Sequence, residues 1–438
     1  MKNKFVKSVI ILTIGSLITK IISMFIKIVL ARTLKIEGTG IYMLITPTFT
    51  LLMAIASLGF PVAISKLVAE EKYNNKSLAF TSIIISLIIN LILILILFLT
   101  AKYISQNLLH EKRCFLALIS IGIVLPFISI SSILRGYFFG KEKIVPHVVS
   151  NITEDLVRLL LIIKILPIIF KKSLEHAVAF VVQVNIVSEL TSILILFIFI
   201  PKNFKITKKD LKIKKNNIKK ILAIGLPTTG SRLIGTLGFF LEPIILTYTL
   251  TKLGYKSSYI INEYGIISGY IIPLILMPSF FTLAISEALI PNISKYYTQK
   301  KYNVALKRIK QGIFFSLLIG LPATLLLEIY PEIPMKVIYN TKEGIQYLKV
   351  LAPIALMHYI QSPLTASLQA MGKAKEAMKG TLKGTIIRTL SLLILPLTNI
   401  GIWSLILAIS LNIVYVTIHQ YKEVIKSLKK DPKIFVHN

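Results

Sequence analysis

At 438 residues, 55% of them hydrophobic and with a mean hydropathy of +0.76, the chain is too apolar for a soluble protein of its size. A formal net charge of +32 would suit a nucleic-acid partner, but the basic residues fall between apolar runs rather than on one soluble face, which argues against one. One cysteine, Cys114, excludes an intramolecular disulfide and argues against a cysteine metal site.

A bilayer core takes about 20 apolar residues of helix, and twelve stretches meet that length. Six lie at 8–31, 40–64, 78–100, 115–139, 148–170 and 177–200; six more lie at 221–250, 263–290, 309–330, 346–370, 380–398 and 401–421. The opening MKNKFVK and its apolar run resemble a secretory leader, yet no small-residue cleavage site precedes Leu30, so the run reads as a retained first helix. Between the two sets lies PKNFKITKKDLKIKKNNIKK (201–220), in which nine residues are lysine. Lysines beside a membrane stay on the cytoplasmic side, where anionic lipids attract them. The expected domains are a first six-helix lobe at 1–200, a basic cytoplasmic linker at 201–220, a second lobe at 221–421 and a basic cytoplasmic tail at 422–438. With the N-terminus inside, the odd-numbered connections carry about a dozen Lys and Arg, and the even-numbered ones with both termini carry about thirty, the bias expected of twelve spans.

The halves resemble each other. The segment from GIYMLITP (40–47) to PVAISK (61–66) parallels that from GIISGYIIP (265–273) to PNISK (291–295), SILRGYFFGKEK (132–143) parallels ASLQAMGKAK (366–375), and EDLVRLLLIIKILP (154–167) parallels GTIIRTLSLLILP (384–396). Pro61 to Pro291 and Arg158 to Arg388 share an offset of about 230 residues. The fold class is therefore all-α: a polytopic membrane protein of about twelve transmembrane helices in two parallel six-helix repeats. An even number of helices per repeat inserts both copies the same way up, with a substrate site expected in the cleft between the lobes.

Ionisable groups near mid-bilayer cost about 3 kcal/mol by insertion scales, which makes them functional candidates. In the first helix Thr13, Ser16, Lys20, Ser23 and Lys27 recur at three- and four-residue steps and form one polar stripe. Lys20 lies midway between Lys7 and Arg32, and Lys27 is nearer an interface; cavity lining competes with salt-bridging or snorkelling for both. Helix seven holds Arg232 and Glu242, read as cavity charges or as a bridge to each other. Glu154 and Arg158 stand four apart and can pair along helix five, while the counterpart Arg388 has no acid four positions before it. Lys164 and Glu189 are deep, as each other's partners or with Glu189 carrying a coupling proton. Arg135, Glu287 and Glu328 fall close enough to helix ends to be interfacial. Deep cations (Lys20, Lys27, Arg158, Lys164, Arg232, Arg388) outnumber deep acids (Glu189, Glu242), a balance suited to an anionic headgroup such as a pyrophosphate. No P-loop and no metal-ligand cluster occurs, so no enzyme, cofactor or metal is expected.

The first-helix sequence GSLITKIISMFIKIVLARTL, the following GTGIYMLITPTFTLL, the LRGYFFGKEK turn and the basic inter-lobe segment together resemble the polysaccharide-transport branch of the multidrug/oligosaccharidyl-lipid/polysaccharide exporter superfamily. The resemblance spans essentially the whole chain and implies a V-shaped pair of bundles that moves a lipid-linked saccharide across the cytoplasmic membrane by alternating access. It also implies that Lys20 and Lys27 meet the pyrophosphate, with Glu242 standing where relatives often have an aspartate; the pattern of deep polar and charged residues itself adds Ser16, Ser23, Arg158, Arg232 and Arg388 as expected substrate contacts. The expected partners are the lipid-linked saccharide, membrane lipids and cell-wall synthesis enzymes, with the protein a monomer. Two other functions are weighed against this one: a cation-coupled multidrug antiporter using Glu189 or Glu242, and a scaffold that recruits cell-wall enzymes without transport.

Overall fold

The computed structural model describes residues 2–72, 74–200, 207, 210 and 214–428, with side chains from Ile10 onward. Most of the basic segment, including Lys202, Lys205, Lys208, Lys209 and Lys212, and the tail from 429 onward lie outside the described residues. The described chain is helical. The helices are α1 (Lys2–Ala56), α2 (Phe60–Ala69), α3 (Asn75–Tyr103), α4 (Phe115–Gly140), α5 (Ile144–Lys172), α6 (Leu174–Ile198), α7 (Lys215–Lys252), α8 (Ser257–Gly265), α9 (Ile272–Leu276), α10 (Ser279–Thr298), α11 (Tyr302–Ile329), the single turn α12 (Glu332–Pro334), α13 (Ile345–Ala370), α14 (Ala374–Ile394) and α15 (Trp403–Leu428).

Nine helical stretches among the described residues are long and apolar enough to cross a membrane. The first, Ile10–Ala69, is 60 residues long, about 90 Å of helix against a core of about 30 Å. It is broken at Lys35, whose φ of 56° is left-handed, and again at Gly59 with φ 62°. The stretch 40–64, expected as one helix, is thus interrupted before Pro61. The stretch 263–290 is also interrupted, by a π-helical turn at Ile266–Ile271 and a second turn at Met277–Pro278. α5 stands outside the nine because Glu154, Asp155, Arg158 and Lys164 dilute its apolar character. Many of the apolar side chains point outward: Phe98 and Leu99 on α3 are 69% and 79% exposed. Such a surface is soluble only in lipid.

The chain divides into two compact units, Met1–Ile244 and Ile245–Asn438, with the division falling inside α7 just after Pro243. Internal duplication is visible in the backbone. α4 and α13 begin and end about 230 residues apart, as do the starts of α5 and α14, and the π-turns Ile104–Leu108 and Met335–Tyr339 share that spacing. Even the strained turns repeat. Glu71 and Lys300, His110 and Asn340, and Glu142 and Gly372 all have positive φ. Helix pairing repeats as well, with α4 packed on α6, α3 and α2 in the first unit and α13 packed on α15, α11 and α10 in the second. Independent chance would not place left-handed turns, five of the six on non-glycine residues that avoid this conformation, at matched positions in two packings.

Candidate functional site

α1 presents three distinct sides. Gly15, Ile22, Ile26, Leu30 and Leu34 form the packed side; at Gly15 the helices lie so close that an added Cβ would stand 2.4 Å from Val148 Cγ1 of α5. Ile10, Ile14, Leu17, Ile21 and Phe25 form an exposed apolar side suited to lipid. Thr13, Ser16, Lys20, Ser23 and Lys27 fall on the third, between those two, because 3.6 residues per turn separates the sets. Ser16 and Lys27 are exposed, and Lys20 and Ser23 are half-buried. Among the described residues, neither lysine has an ion-pair partner.

Arg158 is placed differently. Its guanidinium pairs with the Glu154 carboxylate, one turn back, and donates to Asp155 Oδ1 at 3.1 Å. Glu154 also pairs with Arg135 of α4, which donates to Ser192 Oγ of α6 at 2.7 Å and lies 3.5 Å from Glu189 Oε2. Glu189 accepts from Ser131 Oγ at 2.5 Å. Three carboxylates and two guanidiniums thus tie α4, α5 and α6 together inside the first unit. Arg135, expected at an interface, is the centre of this network, and Glu189 is paired to it rather than to Lys164, which is exposed and without an ion-pair partner among the described residues. Arg158, expected among the substrate contacts, has its guanidinium held by acids.

Arg135, Asp155, Ser131 and Ser192 were not singled out as a network by the sequence, yet a signal was present. At the 230-residue offset, Arg135, Glu154, Asp155 and Glu189 correspond to Thr365, Gly384, Thr385 and His419, so the second copy builds the same helix packing without that arginine and those acids, through contacts such as the Thr365 to Gln420 hydrogen bond at 3.1 Å. The charges are therefore not required by the fold.

On α7, Arg232 is exposed and Glu242 is buried at 6% exposure. Gly230 and Gly235 have open space around them, while Gly225 presses on the α1–α2 break, where an added Cβ would come within 2.5 Å of Leu58 O. Arg388 on α14 is half-buried. Glu287 and Glu328 are exposed. No group of three His, Cys, Asp or Glu among the described residues is arranged to hold a metal. The second unit contributes one cation of the candidate set and no comparable ionic network among its described residues.

Residues 5–297 match the family described as "Polysaccharide biosynthesis protein", and residues 266–393 match the MatE family. The chain is similar to stage V sporulation protein B of Bacillus subtilis (strain 168), with 34% identity over 444 residues covering 99% of this chain and 86% of that one. It is also similar to lipid II flippase MurJ of the same organism, at 22% identity over 433 residues covering 89% and 76%. Among solved structures it resembles the inward-facing conformation of a multidrug resistance MATE family transporter of the MOP superfamily, with a TM-score of 0.75 at 15% identity, covering 97% of this chain and 99% of that one. That likeness establishes the fold.

Proposed function

Because the chain belongs to the polysaccharide biosynthesis protein family, which its match over residues 5–297 establishes, we propose that it is a flippase for a polyprenyl-pyrophosphate-linked saccharide or peptidoglycan precursor. It moves its substrate between leaflets without covalent change, in support of cell-wall, spore-cortex or polysaccharide synthesis. The relative named as a lipid II flippase supports this substrate class, and the relative named as a sporulation protein supports the spore context.

The observation that carries the reading is the polar side of α1. Two lysines without ion-pair partners among the described residues, flanked by Ser16 and Ser23, stand on a helix whose neighbouring sides are apolar. An ammonium in such a setting is stabilised by a phosphate, through charge-assisted hydrogen bonds stronger than neutral ones. Arg232 and Arg388 are further contacts in this proposal, and the lipid tail stays in the bilayer. Twelve passes with both termini in the cytoplasm, and lobes at 1–200 and 221–421, complete the proposed topology. With the interior negative, outward movement of an anion gains about 2.3 kcal/mol per charge per 100 mV. The protein would act as a monomer beside cell-wall synthesis enzymes.

A cation-coupled antiporter is favoured by one observation, the buried Glu189 carboxylate, but it is opposed by an α1 stripe that carries lysines and no acid. Purified protein in liposomes, given a labelled lipid-pyrophosphate saccharide with and without an imposed potential, decides. Translocation that quickens with an inside-negative potential supports the flippase. Failure to move the saccharide together with proton-driven export of a cationic dye overturns it.

A further inference from the structure

Each unit contains an interrupted helix that releases a backbone carbonyl, and in each a buried side chain takes it. In an unbroken α-helix every carbonyl accepts from the amide four residues on. At the α1–α2 break the Phe60 amide donates to Ser57 O instead, and Ala56 O accepts from Ser129 Oγ of α4 at 3.1 Å. At the α9–α10 break Pro278 has no N–H to give, and the turn is closed by the Met277 amide on Leu274 O. Ile275 O there accepts from Tyr359 Oη of α13 at 2.8 Å. Ser129 and Tyr359 stand 230 residues apart, the offset at which α4 and α13 begin and end. The two carbonyls are not at matched positions, so the donor has been kept while the break has moved.

The seats of the two donors differ in a matched way. Asn90 of α3 donates to Ser129 Oγ at 3.0 Å, which leaves the single Ser129 proton for Ala56 O. At the same offset Asn90 corresponds to Gly320 of α11, where an added Cβ would stand 2.4 Å from Tyr359 Cδ2. A short hydroxyl thus has a long amide beside it, and a long phenol has a neighbour with no side chain. Ser129 and Tyr359 are both fully buried, where an unpaired hydroxyl or carbonyl is costly.

We propose that Met277–Pro278 is a hinge, latched by Tyr359, about which α10 swings relative to α9 inside the second unit. The latch and the helix compete for one acceptor. With the chain bent, Ile275 O takes the Tyr359 hydroxyl; with the chain straight, the Ser279 amide, four residues on, takes the same oxygen, and only Leu274 O is left without its helical donor. Ser279 Oγ is buried and has no hydrogen-bond partner among the described residues in the bent form. In the straight form it gains Ile275 O as its acceptor one turn back. One neutral hydrogen bond is exchanged for another, which keeps the two forms close in free energy. The device lies wholly within one unit and is independent of what the protein transports.

Spin labels on Ser258→Cys of α8 and Asn292→Cys of α10, both exposed sites, report the bend across the break, and Cys114 is buried beyond the label's reach. Pulsed electron double resonance on the full chain in nanodiscs is expected to resolve a short distance for the bent form and a longer one for the straight form. Tyr359→Phe keeps the ring and removes the hydroxyl, and should raise the ratio of long to short by about fivefold, the contribution of one hydrogen bond. Pro278→Ala returns an amide to Leu274 O and should raise that ratio by at least about tenfold, which gives a second arm if the phenylalanine variant misfolds. One short distance in all three proteins overturns the hinge. A ratio that Pro278→Ala raises and a folded Tyr359→Phe leaves unchanged overturns the proposal as well, by reducing Tyr359 to packing.

Discussion

Arg135 on α4, half-buried, and Glu154 on α5, buried, form an ion pair that is the middle link of a chain running from Arg158 through Glu154 and Arg135 to Glu189 on α6. Removing one partner of such a pair leaves an uncompensated charge away from water, at a cost of about 3–5 kcal/mol. Arg135→Ala takes from Glu189 its ion-pair partner and leaves Glu154 with Arg158 alone, and is expected to lower the thermal unfolding midpoint in detergent markedly. Arg135→Ala/Glu154→Gln is expected to recover part of that loss. An additive double variant would show that the pair does not couple.

Ser131 has one proton and two oxygens within reach, Ile128 O at 3.0 Å and Glu189 Oε2 at 2.5 Å. The hydroxyl is shared between the two, and its contact to Glu189 is the shorter. Three carboxylates against two guanidiniums also leave one negative charge over, so the network has a place for a proton. Glu189→Gln is expected to leave the protein folded and to flatten whatever dependence transport has on pH. An unchanged pH profile would remove Glu189 from any coupling role.

Glycines along α7 separate close packing from open surface. A Cβ on Gly225 would stand 2.5 Å from Leu58 O, so Gly225→Ala must move backbone and should destabilise by about 1–3 kcal/mol. Gly230 has nothing within 4 Å, and Gly230→Ala should be neutral or stabilising by up to about 1 kcal/mol through helix propensity. Paired unfolding curves check both, and a neutral Gly225→Ala would contradict the contact.

Helix existence and the duplication are legible in the sequence because long apolar runs and matched Pro and Arg positions need no knowledge of neighbours. The break at Gly59 is not legible in the 40–64 run, since its close partner is the backbone of Gly225, far along the chain. The same distinction governs the charges. Glu154 and Arg158 can be paired from sequence because four residues bring them to one helix face. Arg135 reaches its acids across three helices, a relation that only packing creates. The α1 stripe is legible as a stripe; what packing adds is the neighbouring helix face, seen in Gly15 against Val148.

Asp210 accepts from the Asn74 side-chain amide at 2.6 Å and from the Thr207 amide and hydroxyl, each at 2.8 Å, a tether that should be acid-sensitive. The Thr207 amide first, then the Asn74 amide group and the Thr207 hydroxyl, hold its carboxyl down at about 2, against 3.8 when unperturbed. A depressed folded value means that the tether contributes fully above pH 4 and loses its contribution as pH falls through 2. Hydrogen exchange at the Thr207 amide, corrected for its intrinsic pH dependence, should lose protection in that window. Asn74→Ala should move the loss to higher pH. Protection that persists at pH 2, or an unshifted profile in the variant, would contradict the assignment.

Lys20 carries the functional proposal most directly. It has no acidic partner among the described residues, so Lys20→Ala leaves no buried carboxylate unpaired and should preserve folding. It does remove a charge-assisted contact to phosphate, of about 1.5–3 kcal/mol, which corresponds to roughly ten- to a hundredfold in substrate affinity. Lys20→Ala is therefore expected to retain normal membrane insertion and unfolding midpoint while saccharide flipping in liposomes collapses, with Lys20→Arg restoring a substantial fraction because the charge returns. Lys27→Ala should show the same pattern more weakly, since Lys27 is more exposed. Full activity in Lys20→Ala would falsify the role of the α1 stripe in headgroup binding; lost activity with lost folding in both Lys20 variants would assign the lysine to stability instead.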